Sequence, residues 1–330
     1  MLLKHQDVTV RVDEAKDGKR TIFVQTLAGT RVRICSCETA YPLSLIEQVL
    51  KVKGAYVADE IMRDEAPLYV QNNFKWDIFS YVERDSFADR RVLDFGCGSG
   101  ASVMVLARML PGSTEFVGVD LMPECVELAR QRAQWYGIRN RATFVLSPDP
   151  NSLPDGIGSF DYVLLSAVFE HLLPAERRSL LPRIWQHLKP GGILFLDQTP
   201  YRWFPIEMHT TELPLLNYLP DPLAHWAARR FSRRVRRDEK WSDLLRRGIR
   251  GATAGEILGI LNENGHEAEL LEPSRQGVRD DIDLWSKSSS SSRGPVANRV
   301  MRYAFRAVRT ATGVAMIPWL SLAMRKPGSG

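Results

Sequence analysis

The sequence predicts an α/β fold built on a doubly wound, mostly parallel sheet. Short apolar segments alternate with amphipathic helical segments between residues 91 and 271. Such alternation is typical of parallel strands that are covered by helices on both faces. The first apolar segment, 91–95, opens directly into closely spaced glycines. The chain has 330 residues, 44% of them hydrophobic, which is enough for one large domain with additions.

The alternation also gives the order of the elements. Strands are predicted at 91–95, 115–119, 142–146, 160–165, 192–197 and 267–271, and helices at 101–110, 123–136, 175–188 and 252–264.

The N-terminal segment 1–70 predicts an α+β accessory region. Val8 and Val10 begin an alternation of apolar and polar residues, which predicts short strands over 8–37. Apolar residues at helical spacing then predict a helix over 41–62. No residue of this region suggests chemistry.

Three segments interrupt or follow the main domain, which is expected at 71–287. A Pro-, Trp- and Arg-rich insertion at 201–250 comes after the fifth strand and is interpreted as a substrate cap. Residues 288–294 predict a serine-rich linker. Residues 295–330 then predict a helical, basic and amphipathic tail.

The positive charge of the chain is concentrated in the insertion. The formal net charge is +5, but ten Lys and Arg against three Asp and Glu lie between residues 228 and 250. This segment therefore carries +7 and the rest of the chain −2. A local excess of positive charge suggests that this segment contacts an anionic partner surface. A solvated helix face is the default interpretation of such a segment.

The remaining composition excludes two classes of protein. Four cysteines in 330 residues do not form a disulfide framework. No apolar stretch approaches the roughly 20 residues needed to cross a bilayer, and the N-terminus has no signal-peptide core. We therefore expect a cytoplasmic protein.

The strongest chemical signal is the run Asp94-Phe95-Gly96-Cys97-Gly98-Ser99-Gly100, in which a strand meets a helix through alternating glycines. Glycine lets the backbone turn sharply and approach a ligand closely. Asp120 follows at the end of the next strand. A carboxylate at that position can accept hydrogen bonds from both ribose hydroxyls of a nucleoside. The two features together predict a nucleoside-containing cofactor.

The glycine spacing distinguishes between cofactors. A dinucleotide fingerprint has its third glycine where this chain has Ala101. The observed pattern, preceded by Asp94, resembles motif I of class I S-adenosylmethionine (SAM)-dependent methyltransferases. Four further segments resemble motifs of that family in the same order, namely 117–120, 149–154, 160–163 with 170–172, and 188–194. The resemblance spans about residues 91–200 and is greatest to the large subgroup that includes ubiquinone- and menaquinone-type methyltransferases.

The resemblance implies a Rossmann-like domain with SAM as its cofactor. The cofactor-binding residues that it implies are Asp94, Gly96, Gly98, Gly100, Asp120, Leu121, Met122 and Asp149. Asp120 would hold the ribose hydroxyls, Asp149 the adenine amino group, and Leu121 and Met122 the adenine face. Taken singly, Asp120 or Asp149 could equally be a helix cap or a turn former.

Two histidines are candidate catalytic residues. A hydroxyl acceptor with a high pKa needs a general base. His171 follows the fourth strand of the main sheet, and His209 lies in the insertion. Some quinone methyltransferases of the resembling subgroup bind a metal through Glu-x-x-Glu-His, but Ala167 replaces the first acid here, so we expect no metal. Either histidine could instead have only a structural role.

Substrate-binding candidates come from the start of the insertion. Tyr201, Arg202, Trp203 and Glu207 combine aromatic faces, a cation and a carboxylate, which suits a sugar or an anionic polar acceptor. A packed lid with aromatic core residues is the alternative.

The tail suggests a membrane contact. Arg299, Arg302, Arg306 and Arg309 form one helical stripe, and an apolar segment with Trp319 follows over 313–324. A cationic amphipathic helix with an apolar segment is typical of an interfacial anchor on an anionic membrane. Packing on the protein's own domain or on a second subunit is the alternative.

The function that these observations favour is O-methylation of a sugar hydroxyl on a glycan, glycolipid or other lipid-linked acceptor. The location would then be cytoplasmic, and a lipid-linked acceptor would add a peripheral contact at the inner membrane face. A quinone-type or small-molecule methyltransferase is one alternative. A nucleic-acid-binding methyltransferase-like protein is another, but the sequence contains no evident RNA-binding module.

Overall fold

The computed structural model describes residues 1–6, 8–26, 32, 34–66, 70–288 and 294–328. Most of the predicted linker 288–294 therefore lies outside the described residues. The strands are β1 (Leu2–His5), β2 (Val8–Glu14), β3 (Arg20–Thr26), β4 (Ser36–Thr39), β5 (Arg91–Phe95), β6 (Glu115–Asp120), β7 (Ala142–Leu146), β8 (Phe160–Ser166), β9 (Leu188–Pro200), β10 (Glu269–Leu270) and β11 (Trp319–Arg325).

The helices alternate with the strands in the second part of the chain. They are α1 (Leu43–Lys53), α2 (Val57–Glu65), α3 (Val70–Asp77), α4 (Ala101–Met109), α5 (Pro123–Trp135), α6 (Pro174–His187), α7 (Asp221–Phe231), α8 (Trp241–Arg246), α9 (Ala254–Glu263), α10 (Asp281–Ser288) and α11 (Pro295–Thr312). Short 3-10 turns lie at Gly54–Tyr56, Arg84–Phe87, Phe169–His171 and Leu216–Tyr218.

The larger sheet confirms the predicted fold class. Within the described residues it has the strand order β10-β11-β9-β8-β5-β6-β7. The strands from β9 to β7 run parallel, and β10 and β11 add the antiparallel pairs. The carboxyl ends of the parallel strands therefore meet at one edge, where open α/β sheets bind their ligands.

Alternation along the strands fills the two faces of this sheet. Val92 packs with α4 and α5 on one face, and Leu93 packs with α6 and α9 on the other. Because side chains alternate along a strand, a fully apolar strand requires cover on both sides. The helices on the two faces supply that cover.

The accessory region packs directly on the main domain. Its four antiparallel strands bury Val8 and Val10 beneath α1 and α2, as the alternation predicted. Leu128 of α5 belongs to the same apolar cluster. The region therefore shares its core with the domain that follows.

The C-terminal segment corrects part of the prediction. The predicted helix is confirmed as α11, but the apolar segment after it supplies β11, which pairs with β9 on one side and β10 on the other. Ala323 and Met324 are fully buried there. The sheet of the main domain therefore includes a strand beyond the predicted boundary at 287. The part of the apolar segment that lies in β11 is a sheet strand and not a membrane anchor.

The arginine stripe of α11 faces the protein. Arg302 and Arg306 pair with Asp283 at 2.5 Å and 2.7 Å, and Arg309 pairs with Asp280 at 2.9 Å. Arg299 is exposed. Three of the four arginines predicted to contact a membrane are thus engaged with carboxylates of the same chain. Among the described residues, no helix is long and apolar enough to cross a bilayer.

A buried ion pair joins the accessory region to the glycine loop. Arg132 of α5 is fully buried and donates to Glu60 at 2.9 Å and to the Ser99 hydroxyl at 2.7 Å. The Ser99 hydroxyl in turn donates to Glu60. Burial acts to raise the pKa of Glu60, but Arg132 and Lys53 outweigh it and hold that pKa at about 2.

We expect Glu60→Gln to lower the free energy of unfolding by about 3 kcal/mol, because it removes the closer of the two carboxylates that pair with the buried guanidinium of Arg132, Glu60 at 2.9 Å and Asp64 at 3.8 Å. Urea denaturation measures the change. Asp59→Asn is the control, since it alters a more exposed pair with Arg63 on the same helix and should cost less than about 1 kcal/mol. Equal losses for the two variants would contradict a special role for the buried pair.

Candidate functional site

The glycine loop follows β5 at the carboxyl edge of the sheet. Gly96, Gly98 and Gly100 all have positive φ, at 74°, 51° and 80°. A Cβ on Gly96 would lie 2.6 Å from Val168, so the loop can pass that side chain only as glycine. A Cβ on Gly98 would meet nothing within 4 Å, so this glycine borders open space. The loop thus leaves its backbone accessible to a ligand.

Asp120 holds the loop from the neighbouring strand. Its carboxylate accepts from the Gly98 amide at 2.8 Å and from the Met122 amide at 2.9 Å. A carboxylate has about four acceptor positions, so two remain for other donors such as hydroxyls. The structure thus places Asp120 against the glycine loop, and its predicted contact with ribose hydroxyls stays a prediction.

The predicted adenine-contact residues are apolar and exposed. Leu121 and Met122 are each about half-exposed directly after Asp120. Leu146, which is paired with Asp120 in the sheet register, is also exposed. The sequence analysis did not select Leu146, although its position at the end of β7 could have indicated it. Three exposed apolar side chains beside a carboxylate fit a nucleoside whose ring needs apolar contact.

Asp149 lies in an exposed turn. Its carboxylate accepts from the amide of Asn151 at 2.7 Å. Hydrogen bonds from the Ser152 side chain and from this amide lower the pKa of Asp149. The turn-former interpretation of Asp149 therefore describes the structure, and its contact with an adenine amino group stays a prediction.

Buried carboxylates lie behind the loop, and no cationic side chain of the described residues pairs with them. Burial, followed by the charges of Asp197 and Asp120, raises the pKa of Asp94 to about 7. Burial likewise raises the pKa of Asp197 to about 7. One oxygen of each, Oδ2, has no hydrogen-bond partner. Such a site fits a cationic ligand, and the sulfonium and ammonium groups make SAM one.

The two candidate histidines meet across the insertion. Their ring centroids are 5.3 Å apart, although they come from separate segments of the sequence. Glu170 lies beside them, and its Oε1 is 3.8 Å from His171 Nε2. Glu170 is fully buried, Thr199 donates to its Oε2 at 3.0 Å, and its Oε1 has no hydrogen-bond partner. Burial raises the pKa of this carboxyl.

Backbone carbonyls fix the orientation of both rings. His171 Nδ1 lies 2.7 Å from the Arg246 carbonyl, and His209 Nδ1 lies 2.7 Å from the Arg247 carbonyl. A carbonyl oxygen can only accept, so each Nδ1 carries a proton and donates it there. The neutral form of His171 then has its lone pair on Nε2. Burial lowers the pKa of His171, which favours this neutral form.

Glycine and glutamate residues of the insertion position His209. A Cβ on Gly248 would lie 2.8 Å from His209 Nδ1 and 3.1 Å from Glu170, and Gly248 has a φ of 84°. Glu207 is buried and accepts from the amides of His209 and Thr210 at 2.9 Å. Glu207 was predicted to bind substrate. In the structure its oxygens accept hydrogen bonds within this turn and position His209, and a contact with substrate stays a prediction.

The other three predicted substrate-binding residues of the cap differ in exposure. Tyr201 is partly buried against the core on the α6 side. Arg202 donates to the Asn217 carbonyl at 2.7 Å, and burial lowers its pKa to about 10. Trp203 is exposed and stacks on Tyr218 with ring centroids 6.0 Å apart. Arg202 and Trp203 thus lie together, with the guanidinium 4.7 Å from the indole centroid.

The histidine cluster has the donor set of a metal site. Ligand atoms of Glu170, His171 and His209 all lie within 4.8 Å of one another. Ligating histidines often donate their other N–H to a backbone carbonyl, as both do here. The expectation of no metal rested on Ala167, and the cluster does not use that position. The sequence analysis selected the two histidines and missed Glu170, although it directly precedes His171.

Comparisons with known proteins agree with this geometry. Residues 92–192 match the family described as "Methyltransferase domain". A carboxy-S-adenosyl-L-methionine synthase of Erwinia tasmaniensis is 33% identical over 152 residues, which cover 44% of this chain and 61% of that protein. A ribosomal protein L11 methyltransferase of Dechloromonas aromatica is 35% identical over 117 residues, which cover 36% of this chain and 35% of that protein.

A solved structure is also similar to this chain. An O-methyltransferase family protein from Burkholderia thailandensis aligns over 84% of this chain and 61% of its own, with 15% identity and a TM-score of 0.45. The chain thus spans between about a third and two thirds of the length of these relatives. The family match ends at residue 192, before the cap begins.

We expect Asp120→Ala to weaken SAM binding by about 1.5–3 kcal/mol, because charge-assisted hydrogen bonds to the ribose are lost. Titration calorimetry with SAM and with its demethylated product measures the change. Asp155→Ala, at an exposed acid, is the control. Tight NAD binding without a SAM signal would refute the cofactor assignment.

We expect Asp94→Asn to stabilise the ligand-free protein at pH 8 by roughly 1–4 kcal/mol, since one pKa unit corresponds to about 1.4 kcal/mol. The folded state keeps a proton on Asp94 up to about pH 7, whereas the unfolded chain releases it near pH 4. Stability of the wild type therefore falls as pH rises through this range, and the variant lacks that loss. Urea denaturation at pH 5.5 and pH 8 measures the difference, with Asp155→Asn as the control. A variant less stable than wild type at both values would contradict the argument.

Proposed function

We propose that this chain, whose residues 92–192 form a class I SAM-dependent methyltransferase domain with SAM as its cofactor, methylates an oxygen of a polar acceptor held beneath the cap at 201–250. The observation that carries the proposal is the cluster of Glu170, His171 and His209. It joins the end of β8, which belongs to the main domain, to a histidine of the cap.

The glycine loop and the acids behind it are the residues that would hold the cofactor. SAM, when bound, supplies an electrophilic methyl group on a positively charged sulfur. Asp94 and Asp197 offer uncompensated buried carboxyls near the loop, and Asp120 and the exposed Leu121 offer contacts for a nucleoside. These residues would bind SAM and orient its methyl group. The transfer of the acceptor's proton is left to the histidine cluster.

The histidine cluster is suited to accept the proton of a hydroxyl. A hydroxyl must lose its proton as it attacks, since its pKa is far above neutral. Burial lowers the pKa of His171, and the neutral ring has its lone pair on Nε2, so this form can take that proton. The carboxylate of Glu170, whose Oε1 lies 3.8 Å from the same nitrogen, would stabilise the imidazolium that results by its charge. The ring of His209 lies 5.3 Å from that of His171 and can position the acceptor.

The acceptor that we propose is a sugar hydroxyl on a glycan, glycolipid or other lipid-linked molecule. Two features of the cap support this class. Trp203 and Tyr218 present a stacked, exposed aromatic pair, and sugars pack on such faces. Arg202 has no carboxylate within ion-pair distance among the described residues, so it can serve an anionic group. A lipid-linked acceptor would locate the enzyme at the cytoplasmic face of the membrane.

The names of the relatives do not select an acceptor. One is a synthase that modifies SAM itself by name, and another is a methyltransferase of a ribosomal protein. Specificity in such a fold comes from the elements added around the cofactor domain. The cap is such an element here, so the acceptor must be sought through the cap residues.

We expect His171→Ala and His209→Ala to lower turnover roughly 10²–10⁴-fold while SAM affinity stays within a factor of about two, because they remove the proton acceptor and leave the cofactor residues in place. Transfer from methyl-labelled SAM to the acceptor measures turnover, and calorimetry measures affinity. His225→Ala is the control, since this third cap histidine contacts a carbonyl outside the cluster.

Two results would change the assignment. Full turnover in both variants would mean that neither histidine is the base. Loss of wild-type turnover in EDTA, with recovery on adding a divalent cation, would make the cluster a metal centre instead.

The acceptor class is tested with the same label. Membrane extract, soluble glycans, quinone precursors and RNA are each incubated with the enzyme and labelled SAM, and the products are hydrolysed in acid. We expect the label in an O-methyl sugar. Label in a methoxyquinone or in nucleotides would support one of the two alternatives.

A further inference from the structure

Helix α7 of the cap turns its large apolar side chains outward. Leu223, Trp226 and Phe231 are each more than half exposed, whereas the alanines of the helix are buried against the cap's own core. The rings of Trp226 and Phe231 meet edge-to-face at 5.4 Å, and Leu223 lies one turn before Trp226. These three residues form the α7 apolar patch.

The large apolar side chains of α7 lie on the opposite face from the one they occupy in an ordinary surface helix. A surface helix normally turns its large apolar residues to the core and its polar residues to water. An exposed cluster of a tryptophan, a phenylalanine and a leucine marks a surface that another apolar medium covers. The patch alone does not identify that medium.

The charges around the patch indicate which apolar medium covers it. Arg229, Arg230 and Arg237 line the same groove as Trp226 of the patch, and no carboxylate of the described residues lies within ion-pair distance of them. Other arginines of the cap are paired, for example Arg234 with Glu212 at 2.6 Å. The free positive charge is therefore concentrated beside the apolar patch.

A groove gives these arginines a common target. Arg229, Arg230 and Arg237 line a surface groove of about 460 Å³ together with His225 and Trp226. Guanidinium groups bind phosphate through paired N–H donors. The groove therefore suits a phosphate group, and it lies at the edge of an apolar patch.

We propose that α7 docks the protein on an anionic phospholipid membrane, with the α7 apolar patch in the interface and the groove arginines on lipid phosphates. Eleven residues span only about 16 Å, so the helix lies in the plane of the surface. Tryptophan and phenylalanine are favoured at that depth, and each nearby arginine adds attraction to anionic headgroups. The inference does not depend on the identity of the methyl acceptor.

Nucleic acid fits this surface less well. Stacking of bases requires free aromatic faces along a basic track. Trp226 and Phe231 contact each other edge-to-face, and Leu223 beside them offers no stacking face. A leucine exposed in that position gains free energy from burial in an apolar phase.

The C-terminal helix provides a matched control. In α11, Val296, Val300 and Tyr303 are also more than half exposed. The arginines Arg302, Arg306 and Arg309 of that helix pair with carboxylates of the chain. The two helices therefore present similar apolar exposure but different free charge.

The experiment is co-sedimentation of the full chain with vesicles of phosphatidylcholine alone or with added phosphatidylglycerol, over a range of salt concentrations. We expect binding to the anionic vesicles that weakens with salt. A triple variant Leu223→Ser, Trp226→Ser, Phe231→Ser should bind at least tenfold more weakly, as should Arg229→Gln, Arg230→Gln, Arg237→Gln. The α11 variant Val296→Ser, Val300→Ser, Tyr303→Ser should bind as wild type does. SAM affinity and circular dichroism confirm that each variant is folded.

Several outcomes would overturn the proposal. One is no binding of the folded wild type to anionic vesicles, and another is equal binding to neutral vesicles. A loss produced by the α11 variant but not by the α7 variants would move the contact to the tail. Release by millimolar inorganic phosphate, with no effect of the serine variant, would leave only a site for free phosphate. Binding of RNA that needs the arginines but not the patch, without vesicle binding, would identify a nucleic-acid surface.

Discussion

The buried guanidinium of Arg132 is the interaction on which the arrangement of the cofactor site depends. It lies in α5 and reaches Glu60 of the accessory region and the carbonyl and hydroxyl of Ser99 in the glycine loop. A charge without exposure to water is tolerated only when its partners are fixed around it. The loop, the helix after β6 and the accessory helix α2 therefore cannot move independently. This explains why the accessory region contributes to a site to which it offers no chemistry of its own.

The acids behind the glycine loop differ from Arg132, because they are buried without partners of opposite charge among the described residues. Where Arg132 is surrounded by partners, Asp94 and Asp197 have orphan oxygens and raised pKa values. Such an arrangement destabilises the ligand-free protein at neutral pH and above. A cationic ligand reverses that penalty, so the lost stability becomes binding free energy. The paired charge of Arg132 thus stabilises the arrangement of the site. The unpaired carboxyls of Asp94 and Asp197 favour the binding of a cation.

The sequence predicted what is local and missed what depends on the path of the chain. The strand β5, its glycine loop and Asp120 lie close together in the sequence, and their spacing alone indicated how they meet. The strand β11 pairs with β9, which comes far earlier in the chain, and its apolar residues have the same composition as an anchor. Likewise His171 and His209 were two separate candidates, because their meeting depends on how the cap returns over the sheet. The hydrogen bonds of Glu207 within its turn were missed for a related reason, since an acid that accepts from backbone amides has no distinct pattern in the sequence.

The cap and the tail show why charge composition does not determine a binding surface. Both contain an arginine-rich helix with an apolar side, and the charge of each segment predicted an anionic partner. In the tail, Asp280, Asp281 and Asp283 lie under the stripe and neutralise it. The core beneath α7 is formed by apolar residues such as Leu216, Leu244 and Ile249, which cannot pair with arginine. A guanidinium that already pairs with a carboxylate gains little free energy by exchanging it for another anionic group. The arginines without such a partner are therefore the ones available to an anionic membrane or another anionic ligand. The presence or absence of acids beneath a helix therefore decides its function more than the number of arginines upon it.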